Sequence, residues 1–286
     1  MQKILVTGAT GFIGEYVIRE LQHKGHTVVT SSSNPGRAEQ KSWFGSTDYR
    51  PFDFGMFDDS VDYYEYFGRP DRMIHLAWEG LPDYKNEKHI TEYLPRHRAF
   101  LDNMIRHGLK NLTVTGTCLE YGMKEGCLKE DMFCDPVVPY AKAKKELQIV
   151  MEKRLRGTGV HFKWVRLFYM FGKGQNPRSL IPQLEQALAE GRPVFNMSPG
   201  EQKRDFLPVE KVAEYIAGIA LQDRVTGCIN CCSGQPVSVL AFVQDYLKKH
   251  RSVIQLNTGY YDYTDYEPMA FWGDTTKLYQ ALNIQR

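Results

Sequence analysis

Residues Lys3-Ile4-Leu5-Val6-Thr7-Gly8-Ala9-Thr10-Gly11-Phe12-Ile13-Gly14 carry an apolar run that breaks into glycines spaced Gly-x-x-Gly-x-x-Gly. The run over 3–7 reads as a buried strand, and 12–24 as a helix ended by Gly25. Between them Gly8 permits a tight turn, Gly11 lets a pyrophosphate approach the backbone, and Gly14 lets the helix pack on the strand. Gly11 also opens the helix, whose N-terminal amides favour phosphate. A strand before such a loop and a helix after it is the context in which the loop binds a dinucleotide.

Working outward, the alternation continues. Strands are predicted over 27–30, 50–52, 73–77, 112–115 and 161–167, with a long helix from about 87 to 107 and another over 140–156. Pro95 is expected to kink the first of these helices. Strands alternating with helices imply a parallel sheet covered on both faces. Beyond Gly172 the pattern changes. A loop over 172–177 precedes a helix over 180–190, a short strand over 193–197, and helices over 209–221 and 237–248. A tail over 259–268 is rich in tyrosine and acid. Residues 1–170 and 205–235 are expected to form the dinucleotide-binding unit, and 171–204 and 236–286 a smaller C-terminal cap for the substrate.

The chain has 286 residues, 42% hydrophobic and 24% charged, which is ordinary globular material. A net charge of +2 offers no electrostatic case for a nucleic-acid partner. No run of 18 apolar residues is present, so no membrane span is expected. The first strand begins at Lys3, which is read as leaving no room for a signal peptide. Six cysteines lack paired Cys-x-x-Cys spacing, so buried reduced thiols are expected and no metal. A cytoplasmic location fits these features.

Tyr140 and Lys144 stand at i and i+4 on one predicted helix face. An ammonium beside a phenol is expected to lower the tyrosine pKa toward working pH, giving a proton donor and acceptor for alcohol–ketone chemistry. The predicted fifth strand delivers Thr115 and then Thr117 to the carboxyl edge of the sheet, where ligands bind in such folds. A hydroxyl at Thr117 is placed to hydrogen-bond the reacting carbonyl beside Tyr140. The end of the second strand reads Ser31-Ser32-Ser33-Asn34, with Arg37 close behind and no acid. An NAD site usually carries an acid at the position of Ser32, whereas small hydroxyls and an arginine suit a 2'-phosphate. NADP(H) is therefore the expected cofactor, with NAD the alternative. Asp53, followed by Phe54, is placed to accept from an adenine amine. His75-Leu76-Ala77 is expected to lie against the cofactor, with His75 structural.

Several stretches match one family in concert: Thr7–Gly14, His75-Leu76-Ala77, Thr117 through Tyr121-Gly122, Pro139-Tyr140 through Lys144, Arg166 with Gly172, Arg204-Asp205-Phe206, and Asp274-Thr275-Thr276-Lys277-Leu278. The chain resembles the extended short-chain dehydrogenase/reductases, in their nucleotide-sugar epimerase/dehydratase/reductase branch. The resemblance implies an α/β fold, a Rossmann-like doubly wound parallel sheet with a smaller α/β substrate cap. It implies Tyr140 as acid/base, Lys144 as the residue that holds the nicotinamide ribose and tunes Tyr140, and Thr117 as the usual Ser/Thr. It places the dinucleotide over Gly8, Thr10, Gly11, Phe12, Ile13 and Gly14, Ser31, Ser32, Ser33 and Arg37, Asp53 and Phe54, Leu76 and Ala77, Thr115, Lys144 and Leu167. A nucleotide-diphosphate sugar would meet Thr117, Tyr140, Tyr169, Phe195, Asn196 and Arg204, with Arg204 clamping the diphosphate; the alternative for Arg204 is a surface salt bridge with Asp205. A homodimer through the two long helices is also implied, with Phe100, Leu101 and Met104 as its apolar candidates.

Departures from the family pattern narrow the function. Sugar dehydratases carry an Asp-Glu pair where this chain has Cys118 and Leu119, and Glu120 falls one place late. Tyr169 stands where the family keeps a substrate-contacting Asn. The expectation is an NADPH-dependent reductase acting at C4 of a 4-keto-6-deoxy nucleotide sugar. The competing readings are an epimerase that retains NAD(P), and a non-catalytic dinucleotide-binding protein.

Overall fold

The computed structural model describes residues 1–285. Its elements run β1 (Lys3–Thr7), α1 (Phe12–His23), β2 (Thr27–Ser31), α2 (Pro35–Glu39), β3 (Asp48–Tyr49), α3 (Tyr63–Tyr66), β4 (Arg72–His75), α4 (Leu94–Arg106), β5 (Asn111–Thr117), β6 (Gly126–Leu128), α5 (Pro139–Leu155) and β7 (His161–Leu167). They continue with β8 (Tyr169–Phe171), α6 (Leu180–Ala189), β9 (Val194–Asn196), β10 (Lys203–Pro208), α7 (Val209–Leu221), β11 (Gly227–Cys231), β12 (Pro236–Ser238), α8 (Val239–Lys249), β13 (Gln255–Asn257), β14 (Phe271–Gly273) and α9 (Thr276–Leu282).

Ile4, Leu5 and Val6 of β1 are all fully buried. Successive strand side chains point to opposite faces, so a strand apolar throughout must be covered on both. Ile4 and Val6 enter one core with Val17, Ile18 and Leu21 of α1 and Ile216 and Ile219 of α7. Leu5 enters the other with Phe100, Leu101 and Met104 of α4 and Leu147 and Met151 of α5. The seven-stranded sheet has the order β11-β7-β5-β4-β1-β2-β3, and every pairing is parallel. The order reverses beside β1, which opens a crevice between the carboxyl ends of β1 and β4. A second layer of small sheets, β12-β10-β8, β13-β9 and β14-β6, borders that edge. A separate cluster of Ile181, Leu184, Phe195, Val243 and Leu247 sits beneath it. No helix among the described residues is long and apolar enough to cross a membrane.

Several boundaries differ from expectation. The third strand is Asp48–Tyr49 rather than 50–52, although Arg50 N and Phe52 N still donate to Thr30 O and Ser32 O; Pro51 lies between them on the free side of this edge strand, where its missing N–H costs no pairing with β2. The long helix is divided: a π turn over His89–Tyr93 passes directly into an α-helix that starts at Leu94, and Pro95 occupies the first turn of that α-helix. Residues 236–238 pair antiparallel with β10 before α8 begins. The strand β10 was not anticipated; β11 adds a seventh strand beside β7 after the α7 crossover. Phe100, Leu101 and Met104 are wholly buried against the sheet, so they cannot line a dimer interface.

Candidate functional site

The glycine loop forms a cradle. Gly8 has φ +71°, and a Cβ there would lie 2.7 Å from Ala77 N. A Cβ on Gly14 would lie 2.5 Å from Gly8 O, so only glycine lets α1 close on β1. Gly11 caps α1 without a side chain, which leaves the first-turn amides for an anion. Thr10 is nearly buried, Phe12 and Ile13 are half-buried, and Leu76 and Ala77 flank the loop at the end of β4. A dinucleotide pyrophosphate fits this space. At the end of β2, Ser31 is buried, Ser32 Oγ lies 3.1 Å from Tyr49 OH, and Ser33 and Arg37 are exposed. Asp53 is exposed and accepts from Gly55 N at 2.8 Å, capping a short turn. Phe54, by contrast, turns inward and stacks in the core against His97 and Phe100, so its ring is a packing group.

Lys144 of α5 reaches the carboxyl end of β5, the strand that ends at Thr117, and Tyr140 lies one turn before it on the same helix. Parallel register sets Thr117 opposite Leu167 and Thr7 opposite both Ser31 and His75, so these strand ends share one rim. Lys144 is 2% exposed. Its Nζ donates to Thr115 O at 2.9 Å and lies 4.1 Å from the centre of the Trp78 ring, a cation–π contact. Tyr140 is buried among Tyr84, Trp78 and His89, and its N–H donates to Tyr84 O.

The electrostatics correct one expectation. Burial, aided by Tyr84 and Glu120, pushes the Tyr140 phenol well above its ordinary value, not below it. Burial also lowers Lys144 to about 7, opposed by the Glu120 carboxylate. Removing both groups from water penalises phenolate and ammonium alike, and that outweighs their shared helix face. Tyr140 therefore holds its proton at neutral pH and is set up as a donor.

A histidine chain supports this wall. Thr7 Oγ1 lies 2.8 Å from His75 Nδ1, His75 Nε2 lies 2.8 Å from His97 Nδ1, and His97 Nε2 lies 3.2 Å from Glu79 Oε2. Both rings are fully buried and are pushed well below the usual histidine range, chiefly by desolvation, so they stay neutral. Trp78 stacks on His97 with 4.5 Å between ring centres and donates through Nε1 to His89 Nδ1.

At the cap end, Arg204 does not form the surface salt bridge with Asp205 that was its alternative reading. Its guanidinium is buried, paired with Glu267 Oε2 at 3.0 Å, and packed on Phe271 and Tyr169. Asp205 points elsewhere, accepting from Ser233 N, Ser233 Oγ and Gly234 N at 2.6–2.8 Å. There is no Arg204–Asp205 bridge among the described residues, because successive residues of β10 face opposite sides. The buried Tyr169 hydroxyl has no hydrogen-bond partner among the described residues. Phe195 and Asn196 line a cleft of about 260 Å³ with Gln202, Tyr263 and Glu267, and the buried Gln202 Nε2 is likewise unpartnered among the described residues.

Glu120 is no substitute for the missing dehydratase acids. It is fully buried and bonded to Arg166 Nε at 2.7 Å. Trp78, Tyr84, His89, His97 and Glu267 were not anticipated. Trp78 directly follows His75-Leu76-Ala77, a positional hint; Tyr84 and His89 come from the segment between β4 and α4, His97 from α4 itself and Glu267 from a late tail, placements that no spacing reveals.

Known proteins place this geometry. A dTDP-6-deoxy-L-talose 4-dehydrogenase (NAD(+)) from Aggregatibacter actinomycetemcomitans is 28% identical over 276 residues, covering 94% of this chain and 98% of that enzyme. A GDP-6-deoxy-D-talose 4-dehydrogenase from the same organism is 27% identical over 291 residues, covering 98% of this chain and 91% of that enzyme. The solved structure of MoeE5 in complex with UDP-glucuronic acid and NAD superposes with a TM-score of 0.82 at 23% identity, covering 98% of this chain and 92% of that one, a likeness of fold. The model of the NAD dependent epimerase/dehydratase family matches residues 4–232, from the glycine-loop strand through β11, and the chain belongs to that family.

Proposed function

We propose that this protein is a nicotinamide-dependent oxidoreductase acting at C4 of a 6-deoxy nucleotide sugar, in the direction of ketone reduction. The observation that carries the reading is a buried Tyr140 one helical turn from a buried Lys144, whose Nζ donates to Thr115 O on the strand that ends at Thr117, on the rim that holds the glycine cradle. When bound, a reduced nicotinamide dinucleotide supplies a hydride to the C4 carbon. Thr117 orients the carbonyl by a hydrogen bond, and Tyr140 gives its proton to the oxygen, which completes the alcohol. Lys144 holds the ribose and places a positive charge near the phenol. Cys118 and Leu119 in place of two acids argue against water elimination. The two 4-dehydrogenase relatives support the carbon at which the chemistry occurs.

NADP(H) is the proposed carrier, since β2 ends on hydroxyls with Arg37 nearby. The cap cleft takes the nucleotide, with Phe195 and Asn196 beside the base and Arg204 near the diphosphate. The cap is proposed to comprise 171–204 and 236–286, and the dinucleotide unit 1–170 and 205–235. A homodimer is proposed through the open groove between α4 and α5, lined by Leu94, Ala99 and Val150; light scattering at micromolar concentration tests it, and a monomer overturns it.

The functional test supplies a 4-keto-6-deoxy nucleotide sugar with NADPH or NADH and follows loss of the reduced-nicotinamide absorbance. Stoichiometric oxidation with a new C4 alcohol supports the proposal. Interconversion of C4 epimers without net oxidation of the dinucleotide replaces it with an epimerase.

A further inference from the structure

We infer that Glu120 is a positioning residue that fixes Thr117 and, through Arg166 and Gln148, the α5 face that carries Tyr140 and Lys144, for the reaction proposed above, on which this inference rests. Glu120 lies in the tight turn over Cys118–Tyr121 that follows Thr117. Its Oε1 accepts from Thr117 N at 2.8 Å, while Thr117 Oγ1 accepts from Leu119 N at 3.3 Å, a reciprocal cap that fixes the threonine backbone. The same carboxylate accepts from Trp164 Nε1 at 3.0 Å and from Arg166 Nε at 2.7 Å. Arg166 then donates through Nη2 to Gln148 Oε1 at 3.1 Å. Tyr140, Lys144 and Gln148 fall at i, i+4 and i+8 of α5, so one helix face carries the reaction groups and their tie to the Glu120–Arg166 pair. The fit leaves no slack, because a Cβ on Gly116 would lie 2.4 Å from Glu120 Oε1.

The carboxylate also acts at longer range. Lys144 makes no ion pair among the described residues. The groups that face it are His75 and His97 from β4 and α4, Trp78 from the segment after β4 and Trp164 from β7, while Tyr84 and Cys118 face Tyr140, one turn away on the same helix. His75 and His97 are held neutral by burial, and Tyr84, Cys118 and Tyr140 are held protonated by it. Glu120 is the charge that favours the Lys144 ammonium against desolvation, and Arg166 is spent on Glu120 itself. A buried ion pair of this kind is weak evidence of stabilisation, so stability alone does not account for it.

The test titrates NADPH and NADH binding by fluorescence, and kcat by absorbance, from acid to alkaline pH. The proteins compared are the parent, Glu120→Gln, Glu120→Asp and the double variant Glu120→Gln/Arg166→Gln, with circular dichroism as the folding control. Glu120→Gln removes the charge at nearly constant shape. Its alkaline limb, in binding and in kcat, is expected to move to lower pH by about one unit. Glu120→Asp keeps the charge but is one methylene too short for Thr117 N. It is expected to keep the limb and lose about tenfold or more in kcat. The double variant removes both charges and leaves two amides that can bond each other, so it carries the test if the single variant does not fold; the same acid shift is expected. A parent that binds NADPH or NADH, with the limbs of the Gln variants within a few tenths of a pH unit of its own, overturns the inference and leaves the proposed function standing. A parent that binds neither dinucleotide overturns the proposed function, and this inference with it.

Discussion

The two ends of the cleft hold their buried cations in opposite ways. At the sheet end Lys144 rests on a carbonyl and an indole face, with no carboxylate in ion-pair range among the described residues. At the cap end Arg204 is already matched by Glu267 from 63 residues further along. A buried ammonium without a partner is costly and its charge is easily lost, whereas a buried guanidinium with a partner is stable and its charge is spoken for. The sheet end is thus set to receive a ligand directly. At the cap end Glu267 already occupies the cation that the proposed function offers to a diphosphate.

The largest expected effect probes the sheet end. Tyr140→Phe keeps the ring and removes the proton, and turnover should fall about a hundredfold or more with dinucleotide binding retained. Steady-state rates within a few-fold of the parent would remove Tyr140 from the reaction. At the cap end, Arg204→Met strands the largely buried Glu267 carboxylate. Unfolding in denaturant should show a loss of about 3 kcal/mol, and calorimetry should show weaker nucleoside diphosphate binding. A stable variant with unchanged affinity would break the contrast between the two ends.

Two smaller effects sharpen it. Glu267→Gln frees Arg204 from its internal anion, so a nucleoside diphosphate should bind several-fold more tightly by calorimetry; weaker binding would mean that Glu267 orients Arg204 and does not compete for it. Ser32→Asp puts a like charge beside a 2'-phosphate and should reverse or erase a preference for NADPH over NADH in kcat/KM. A parent that prefers NADH overturns the reading of this loop.

A further effect is a pH dependence of stability. Lys144 falls to about 7 in the folded state, against about 10.5 when unfolded. Between those values the unfolded chain binds the extra proton, so stability rises with pH as the burial penalty on the ammonium disappears. Lys144→Met should lack that rise. Equilibrium unfolding at pH 7 and at pH 9.5 reads the difference, and parallel pH trends in the two proteins would contradict the burial of this charge.

What the sequence alone determined is local. The glycine spacing 8–11–14 specifies its own turn and helix, because the contacts that demand glycine at 11 and 14 come from the Gly8 and Ala9 backbone, whereas the close approach at Gly8 is to Leu76 and Ala77, which β4 brings from far along the chain. The alternation of apolar runs with helical periods is enough for a parallel sheet buried on both faces, and Tyr140 and Lys144 share a face by helix geometry alone. Tertiary structure decided what depends on distant partners. Pro51 and Pro95 could be seen, but where a ladder ends or a helix begins depends on which neighbour lies alongside. Phe100, Leu101 and Met104 carry a periodicity that marks an apolar face without saying whether sheet or solvent lies opposite. The direction of the Tyr140 and Lys144 shifts was set by desolvation, which Trp78, Tyr84 and His89 impose by folding back over α5. The pairing of Arg204 with Glu267, rather than with its neighbour Asp205, follows from the strand pleat and the path of a late tail. Charge pairing acts through space, and sequence adjacency does not predict it.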